Sequence, residues 1–498
     1  MKSNAQKRTT AKFIITFAVL LAIFLLPFAS VAVITLAVSP VYEDTFVGEL
    51  GEKYERLNSL EGEKLVVVGG SSVAFGLDSA ELGREMGMEV VNFGLYANLG
   101  TKLMLDLSRS GIGEGDVVVL APEMNDQTLS LYFNSETAMQ SLDGNFGMLA
   151  SIDSDNYEAL LGASWGFAAD KLVYTLGGNV PENSGAYSKK WFNLYGDNTY
   201  DRPYNEMVTV QKNITLDYKY DPEDGLTSEY EEFIDYVNEY VEFCTGRGAT
   251  VYFSFPPMNE ASLSDYNTEE NIYAFYDNLT SSLHCRVISN INDYIMDEGY
   301  FFDSEFHLNN AGVKLRTATL ADDLKREMGI TERTTIEIPE PPGYKPVDFV
   351  GGSDVNLYLE LEAGVNGAGQ SVWYVVGLND EGKKQVNITL PNNVDGIPLY
   401  GIKANAFAGS ELRTLVVSEN IGSFASSAFA GAENLTAVYI PKPSPDDIEV
   451  PNNFSGDLAI AGANPELRIY IPEGSLFDFV SHYFWGDYGE CLVEYKRN

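Results

Sequence analysis

Cysteine and histidine are both scarce in this sequence. The 498 residues include three cysteines and three histidines, His284, His307 and His482. Three cysteines are too few for a disulfide scaffold, and no Cys-x-x-Cys pair or Cys/His cluster suggests zinc. The scattered histidines also argue against a multi-histidine metal site. We therefore expect no metal ion, and any histidine chemistry must come from one of these three residues.

Basic residues are strongly outnumbered. The chain has 32 Lys+Arg against 72 Asp+Glu, a formal net charge of −40 at pH 7. A field of this sign repels phosphate backbones, which excludes nucleic-acid binding as a main function. Hydrophobic residues make up 45% and aromatic residues 12%, enough to fill real cores and to exclude global disorder. A chain of this length predicts two or three domains.

The N-terminal region contains a long segment without charge. No charged residue stands between Lys12 and Glu43, and about 20 apolar residues suffice to cross a bilayer. We predict a cytoplasmic tail at 1–12 and a transmembrane helix at 13–38, because basic residues precede the segment and acids follow it. A long cleaved signal sequence is the alternative. Either way, we expect the main domains outside the cytoplasm, away from ATP and NAD(P)H.

Short apolar runs alternate with helical patterns in the middle of the chain. Strands that alternate with helices predict a parallel sheet with helices on both faces. We assign this α/β domain to residues 45–329, with an aromatic-rich insertion at about 127–225 that could form a lid or a substrate wall. The predicted strand cores are Leu65–Val68, Val90–Phe93, Val117–Leu120, Val251–Phe255 and, more weakly, Arg286–Ile288.

The C-terminal part carries an internal repeat. Prolines punctuate residues 330–352, which we interpret as a stiff linker. Beyond it Ala406-Phe407-Ala-Gly409 recurs as Ala428-Phe429-Ala-Gly431, about 22 residues later. One strand per repeat of this length is typical of a leucine-rich-repeat solenoid. The pattern resembles the BspA-like leucine-rich repeats of bacterial surface proteins, so we expect residues 353–498 to form a short solenoid of this kind.

A serine pair follows the first predicted strand. The sequence Leu65-Val-Val-Val-Gly-Gly-Ser71-Ser72 runs from the strand into a turn of small residues and then into a helical segment. A serine there lies at a helix N-terminus, where backbone N–H groups favour developing negative charge. An ordinary turn with two capping serines is the competing interpretation. A phosphate loop is less favoured, because the GxGxxG pattern and a following lysine are missing.

An acid and a histidine lie near the end of the α/β region. In Asp303-Ser-Glu305-Phe-His307-Leu-Asn309 the histidine stands directly before a predicted helix start. A loop at the edge of a parallel sheet would bring His307 towards the serine turn. The alternative is a purely structural histidine.

Together these segments resemble the SGNH hydrolase superfamily, serine hydrolases with a flavodoxin-like sheet. The resemblance implies that Ser72 is the nucleophile, that His307 is the general base and that Asp303 is the acid. It further implies that Gly94, in Asn92-Phe-Gly94, and Asn125, in Met124-Asn125-Asp126, complete the oxyanion hole. Neither a metal nor an organic cofactor is needed for this chemistry.

Three departures from the family pattern leave alternatives open. Ser71 is a second candidate nucleophile, one residue out of register. The usual acid stands three residues before the histidine, whereas Asp303 is four before His307, which makes Glu305 a rival. The third block has Ala121-Pro-Glu where the family has a leading glycine, which weakens the assignment of Asn125.

The single predicted anchor and the outward-facing domain look like the DltD-like cell-surface acyl-transfer proteins. The expected function is that of a membrane-anchored, extracytoplasmic serine esterase or O-acyltransferase that acts on a cell-envelope glycan or polymer. Water as the acceptor makes an esterase, and a sugar or polymer hydroxyl makes a transferase. The alternative is a catalytically inactive surface protein whose repeats bind a wall, glycan or protein partner.

Overall fold

A computed structural model describes residues 2–178, 181, 185–207, 218–223, 231–343, 358–450, 464 and 467–495. The chain divides into two compact units. The first comprises Met1–Asn205 and Ile214–Gly343, and the second comprises Glu206–Asn213 and Tyr344–Asn498. The division after Gly343 falls within the predicted linker, of which residues 344–352 lie outside the described part of the chain. Parts of the predicted insertion, at 179–180, 182–184, 208–217 and 224–225, lie outside it as well.

The first unit begins with one long apolar helix, α1 (Lys2–Ala37), which contains Pro27. Within its segment Lys12–Ala37, an 18-residue window has a mean hydropathy of 2.8 and no buried residue. By length and composition this segment is able to cross a membrane, which is consistent with an anchor or a signal sequence. Its orientation stays a prediction.

Ten further helices and nine strands make up the rest of the first unit. The helices are α2 (Glu49–Ser59), α3 (Ser71–Ala74), α4 (Ser79–Met86), α5 (Thr101–Ser108), α6 (Asp126–Leu129), α7 (Ser135–Ser141), α8 (Tyr157–Gly177), α9 (Glu231–Gly246), α10 (Glu269–Ser282) and α11 (Asn310–Glu327) among the described residues. The strands described are β1 (Lys64–Gly69), β2 (Glu89–Gly94), β3 (Val117–Leu120), β4 (Thr250–Phe253), β5 (Met258–Asn259), β6 (Arg286–Val287), β7 (Ile295–Met296), β8 (Phe301–Ser304) and β9 (His307–Leu308).

Five of these strands form a sheet in the order β2-β1-β3-β4-β6, and every neighbouring pair is parallel. They coincide with the five apolar runs of the sequence, so the prediction of an α/β domain with a parallel sheet is confirmed. The direction of winding reverses between β1 and β3. In open α/β sheets, the crevice at the carboxyl ends of such strands is the usual place for a ligand.

Both faces of the sheet are covered, which explains why its strands are apolar throughout. All six residues of β1 are buried. Val66 and Val68 pack into a core with α2, α5 and α9, whereas Leu65 and Val67 face a second core with α4 and α11. A strand buried on both faces reads as a continuous hydrophobic run rather than as an alternating one.

The second unit is built mainly from short strands. They are β10 (Leu359–Val365), β11 (Ser371–Leu378), β12 (Asn387–Thr389), β13 (Asn393–Val394), β14 (Ile397–Ile402), β15 (Thr414–Val416), β16 (Ser423–Phe424), β17 (Ala437–Tyr439), β18 (Arg468–Pro472) and β19 (Leu492–Tyr495), and α12 spans Leu476–Ser481. The strands β12-β15-β17-β18-β19 pair in that order, all in parallel.

The sequence repeats of the second unit occupy equivalent positions. Asn405 and Ser427 both have a positive φ, 57° and 58°. Phe407 and Phe429 stack with ring centroids 6.3 Å apart and planes 16° apart. Each repeat therefore places its aromatic side chain over that of the next in a shared core. The parallel ladder agrees with the expected repeat, and the solenoid itself stays a prediction.

Glu85, on α4, provides a pH-dependent test of how the α/β unit is held together. Burial alone would raise the pKa of this carboxyl, but hydrogen bonds from Lys325 and Thr335 outweigh it and lower the pKa from 4.5 to about 2. A carboxyl whose pKa is lower in the folded than in the unfolded state stabilises the fold at pH values above its unfolded-state pKa. This stabilisation is lost as the pH falls through the folded-state pKa.

We therefore expect Glu85→Gln to lower the free energy of unfolding near neutral pH, and the difference from wild type to disappear between about pH 4.5 and pH 2. Urea unfolding at a series of pH values measures this. Glu55→Gln on α2 is the matched control, since Glu55 is an exposed helical glutamate. A difference between Glu85→Gln and wild type that persisted at the lowest pH would contradict the assignment.

Candidate functional site

The serine turn begins where β1 ends. The chain passes through Gly70 and enters α3 at Ser71. Gly70 lies directly against a carboxylate, because a Cβ built on it would stand 2.2 Å from Glu123 Oε2. Only glycine fits this close approach, so the small residues at the turn bring the start of α3 to the carboxyl end of β3.

A tight hairpin supplies the acid and the histidine. Asp303 lies on β8 and His307 on β9, which pair in antiparallel fashion. Ser304 Oγ accepts hydrogen bonds from the N–H groups of Phe306 and His307 and so closes the turn between them. As a result Asp303 Oδ1 lies 2.7 Å from His307 Nδ1. The hairpin therefore accommodates the spacing of four residues that departs from the family pattern.

The other ring nitrogen of His307 contacts Ser71. His307 Nε2 lies 2.8 Å from Ser71 Oγ. An ionised carboxylate is only an acceptor, so we assign the proton between Asp303 and His307 to Nδ1 of the histidine. Nε2 then has a free lone pair and accepts from the serine hydroxyl. A serine bonded to an imidazole that an acid orients is the arrangement that activates a serine nucleophile.

Ser72 is not the serine that His307 contacts. Its side chain is fully buried, and its hydroxyl has no hydrogen-bond partner among the residues that the structure describes. The helix starts at Ser71, and successive helical residues point about 100° apart, so only one of two adjacent serines is able to face His307. The contact moves the candidate nucleophile from Ser72 to Ser71, the alternative that the sequence leaves open.

Of the two acids near His307, Asp303 makes the contact. Its side chain is 1% exposed and its other oxygen, Oδ2, accepts from Tyr187. The backbone carbonyl of Glu305 accepts a hydrogen bond from the N–H of Asn259. Burial raises the pKa of the Glu305 side-chain carboxyl. The geometry therefore favours Asp303 as the residue that orients His307.

Gly94 lies beside the serine turn, as the resemblance implies. A Cβ built on Gly94 would stand 2.5 Å from the carbonyl oxygen of Gly70. Its N–H donates to Asn92 Oδ1 at 3.2 Å, and Asn92 Nδ2 donates to the carbonyl of Val73 and to Asp197 Oδ1, both at 2.9 Å. Asn92 thus ties the end of β2 to the serine turn and to the insertion.

Asn125 follows β3 and caps α6. Its side-chain oxygen accepts from the N–H of Thr128 at 3.0 Å. A cap of this kind uses only Oδ1, so the Nδ2 group of the same amide remains a donor. The oxyanion role that the resemblance implies for Asn125 stays a prediction.

Two buried charged side chains hold the backbone of Ser72, and the sequence analysis assigns a role to neither. Glu123 Oε1 accepts from the N–H of Ser72 at 2.7 Å, and Arg316 on α11 donates to the carbonyl of Ser72 at 2.5 Å. Burial lowers the pKa of Arg316 to about 10. The two peptide groups that flank Ser72 are thus fixed, which restricts the direction of the neighbouring Ser71 side chain. An acid three residues after a buried strand was the available signal for Glu123.

The insertion reaches the site through Tyr187, which the sequence analysis also does not identify. Tyr187 donates to Asp303 Oδ2 at 3.0 Å and lies 3.2 Å from His307 Nδ1. Burial and, next, the charge of Asp303 raise the pKa of Tyr187, so the phenol stays protonated and remains a donor. The Tyr187 hydroxyl therefore lies beside the bond between His307 and Asp303 and contacts both partners.

An aromatic layer backs the histidine. The ring of Phe75 stacks on that of His307, with centroids 4.5 Å apart and planes 12° apart. The guanidinium of Arg202 lies 5.0 Å from the centre of the same Phe75 ring. Arg202 is buried, which lowers its pKa to about 10, and Asp303 opposes this shift. A cation thus lies near the acid of the site.

A cavity of about 350 Å³ lies beside Tyr187. Its walls include Tyr42, Phe46, Tyr96 and Tyr187, so it shares Tyr187 with the site. Phe46 contacts the rings of both Phe75 and Tyr187. In the part of the chain that the structure describes, no group of three or more His, Cys, Asp or Glu side chains is placed to hold a metal ion.

Comparison with known proteins gives no family. A scan against protein-family models finds no match for the chain, and a search of the curated proteins finds none either. The chemistry of the site is therefore argued from its own geometry.

The acid is tested by two matched substitutions. In Asp303→Asn an amide faces Nδ1 and favours the wrong tautomer of His307, so we expect Ser71 to react with a fluorophosphonate about 10³-fold to 10⁴-fold more slowly. Glu305→Gln should leave the rate nearly unchanged. The rate is measured by gel fluorescence of the labelled chain. A slow Glu305→Gln variant beside a normal Asp303→Asn variant would reverse the assignment.

Proposed function

We propose that this chain is a serine esterase or O-acyltransferase of the SGNH type, anchored in the membrane with its main domains outside the cytoplasm. The observation that carries the proposal is the hydrogen-bonded series Ser71–His307–Asp303, with bonds of 2.8 and 2.7 Å. The sheet order β2-β1-β3-β4-β6 supports the flavodoxin-like assignment, because it has the same winding as that fold.

The mechanism follows from the proton positions at the site. Ser71 Oγ attacks the carbonyl carbon of an ester while its proton passes to His307 Nε2. Asp303 keeps the proton of Nδ1 in place and stabilises the imidazolium that forms. Collapse of the tetrahedral intermediate transfers the proton from Nε2 to the leaving alcohol and leaves an acyl-serine. Water or an acceptor hydroxyl then attacks, and the same proton steps run in the opposite sense.

The developing oxyanion requires N–H donors near Ser71. We assign it to the N–H of Ser71 and, as the resemblance implies, to the N–H of Gly94 and the side-chain amide of Asn125. The Gly94 N–H lies against the serine turn and has to exchange its 3.2 Å bond to Asn92 Oδ1 for the oxyanion. Asn125 caps α6 through Oδ1, which leaves its Nδ2 group as the donor. Tyr187 has a supporting role, since it donates to the second oxygen of Asp303.

The proposed substrate is an acyl ester on a cell-envelope glycan or polymer, with α1 as the anchor. No cofactor takes part in the proposed steps. In the second unit, we infer a short leucine-rich-repeat solenoid from its parallel ladder and from the stacking of Phe407 on Phe429. Its proposed role is to bind the envelope polymer, or a protein or glycan partner, and so to deliver the enzyme to its substrate.

One observation favours a second candidate, a catalytically inactive surface protein that works through its repeats. Glu123 places a carboxylate on the N–H of Ser72. Negative charge beside the serine turn opposes the oxyanion of acyl transfer. In this candidate the repeats alone carry function, and Ser71→Ala leaves ligand binding and function unchanged.

Ester turnover by the full chain in detergent micelles tests the proposal. We expect Ser71→Ala to reduce hydrolysis of p-nitrophenyl acetate by about 10³-fold or more, because it removes the atom that attacks the ester. Ser72→Ala is the matched control and should retain turnover, since its hydroxyl has no hydrogen-bond partner among the described residues. Unfolding temperatures of both variants report on the fold.

Three results contradict the proposal. They are absence of turnover in the folded wild type, equal turnover in Ser71→Ala and wild type, and loss of turnover in Ser72→Ala alone. Addition of sugar alcohols as acceptors separates the two reactions, because a transferase forms acylated sugar at the expense of free acetate.

A further inference from the structure

Helix α8 has two apolar faces, of which only one is covered. The covered face packs against the α/β unit through Leu160 and Phe167, both buried. The opposite face carries large apolar side chains in contact with solvent. These are Leu161 (63% exposed), Trp165 (42%), Leu172 (39%), Val173 (68%) and Leu176 (79%).

The exposed face of α8 is unusual for a helix in water. The whole helix of 21 residues contains three charged residues, Glu158, Asp170 and Lys171. Glu158 lies in the first turn, and Lys171 is buried on the covered side. Contiguous apolar patches of this kind on soluble proteins mark binding surfaces, because apolar area in water is unfavourable.

The structure places α8 directly beside α1. The rings of Trp165 and Phe28 meet edge to face with centroids 5.3 Å apart. Lys171 Nζ donates to the carbonyl of Thr35 at 3.1 Å. The same ammonium forms a buried ion pair of 2.6 Å with Asp143, which also accepts from the N–H of Val41. Buried polar contacts thus hold α8 against the last turns of α1.

The length of α1 indicates how far α8 lies from the centre of the membrane. The apolar segment of α1 has 26 residues, whereas about 20 cross the hydrocarbon of a bilayer. If the segment enters the membrane at Lys12, it leaves the hydrocarbon after about 20 residues, between Phe28 and Thr35. Because α8 contacts both of these residues, it lies at the membrane boundary, the level at which tryptophan is enriched.

A cavity of about 390 Å³ lies between α1 and α8. Its lining is almost entirely apolar and includes Val31 and Leu36 of α1 and Leu160 and Leu161 of α8. Water gains few hydrogen bonds in such a space, whereas acyl chains match it in polarity and shape. The cavity is continuous with the exposed sides of both helices.

We propose that the exposed face of α8 lies in the membrane leaflet on the side of the α/β unit, where lipid acyl chains cover it and fill the cavity beside α1. The α/β unit is then held by two elements, one that spans the bilayer and one that lies in its surface. This inference rests on the anchoring of α1 in the proposed function. The experiment distinguishes failure of the α1 anchor from failure of the proposed membrane contact of α8.

The experiment uses the full chain in phosphatidylcholine vesicles, a zwitterionic lipid that limits the influence of the net negative charge. Single cysteines at Leu161 and Val173 carry an NBD label, and lipids with a nitroxide on the acyl chain quench its fluorescence. Leu20→Cys on α1 reports on the anchor. Glu239→Cys, an exposed position on α9, reports on the aqueous side. The chain without an added cysteine measures background labelling of the native thiols.

We expect labels at 161 and 173 to be quenched at least about twofold more than the label at 239. Quenching at 20 with solvent-like behaviour at 161 and 173 overturns the inference and leaves the anchor intact. Absence of quenching at 20 removes the anchor and the inference with it. Labels at 161 and 173 that self-quench between chains but ignore the lipid nitroxide assign the face to a second copy, which also overturns the inference.

Discussion

The hydrogen bond between Ser71 and His307 is the interaction on which the proposed chemistry depends. It joins residues 236 positions apart in the chain, at opposite ends of the α/β unit. Ser71 is placed by β1, by the close approach of Gly70 to Glu123 and by the contacts of Arg316 with the next peptide. His307 is placed by the β8–β9 turn. These supports together set the distance between Ser71 Oγ and His307 Nε2.

The parallel sheet was predictable from sequence because its strands are buried on both faces and read as short continuous apolar runs. Asp303 and His307 were also accessible, since they stand close together at the end of the α/β region. The choice between Ser71 and Ser72 was not accessible from the sequence. It depends on where the helix after β1 begins. Tertiary contacts of Glu123 and Arg316 hold that point, and no local sequence pattern indicates them.

The insertion shows the other limit of sequence analysis. Tyr187 contacts Asp303 across 116 positions, and nothing in its neighbourhood marks it as a site residue. Asp197 of the insertion likewise has a distant partner, because it accepts a hydrogen bond from Asn92 of β2. Asn125 also caps α6, because an asparagine directly before a short helix accepts from a backbone N–H there. Contacts between distant segments, rather than motifs, complete the site.

The segment after α1 links the apolar helices with the site. Tyr42 stacks on Phe167 of α8, with centroids 5.8 Å apart, and Phe46 contacts Tyr187 at 5.5 Å. Both Tyr42 and Phe46 line the cavity beside Tyr187, which donates to Asp303. In the proposed arrangement the catalytic residues therefore lie a short distance from the membrane surface, which suits a substrate of the cell envelope.

The central claim is that His307 activates Ser71, and identification of the residue that a fluorophosphonate modifies tests it most directly. The folded full chain is labelled, digested and mapped by mass spectrometry. The account predicts a single phosphonyl adduct on Ser71, absent from His307→Ala. An adduct on Ser72, or no adduct on a folded chain, would contradict it.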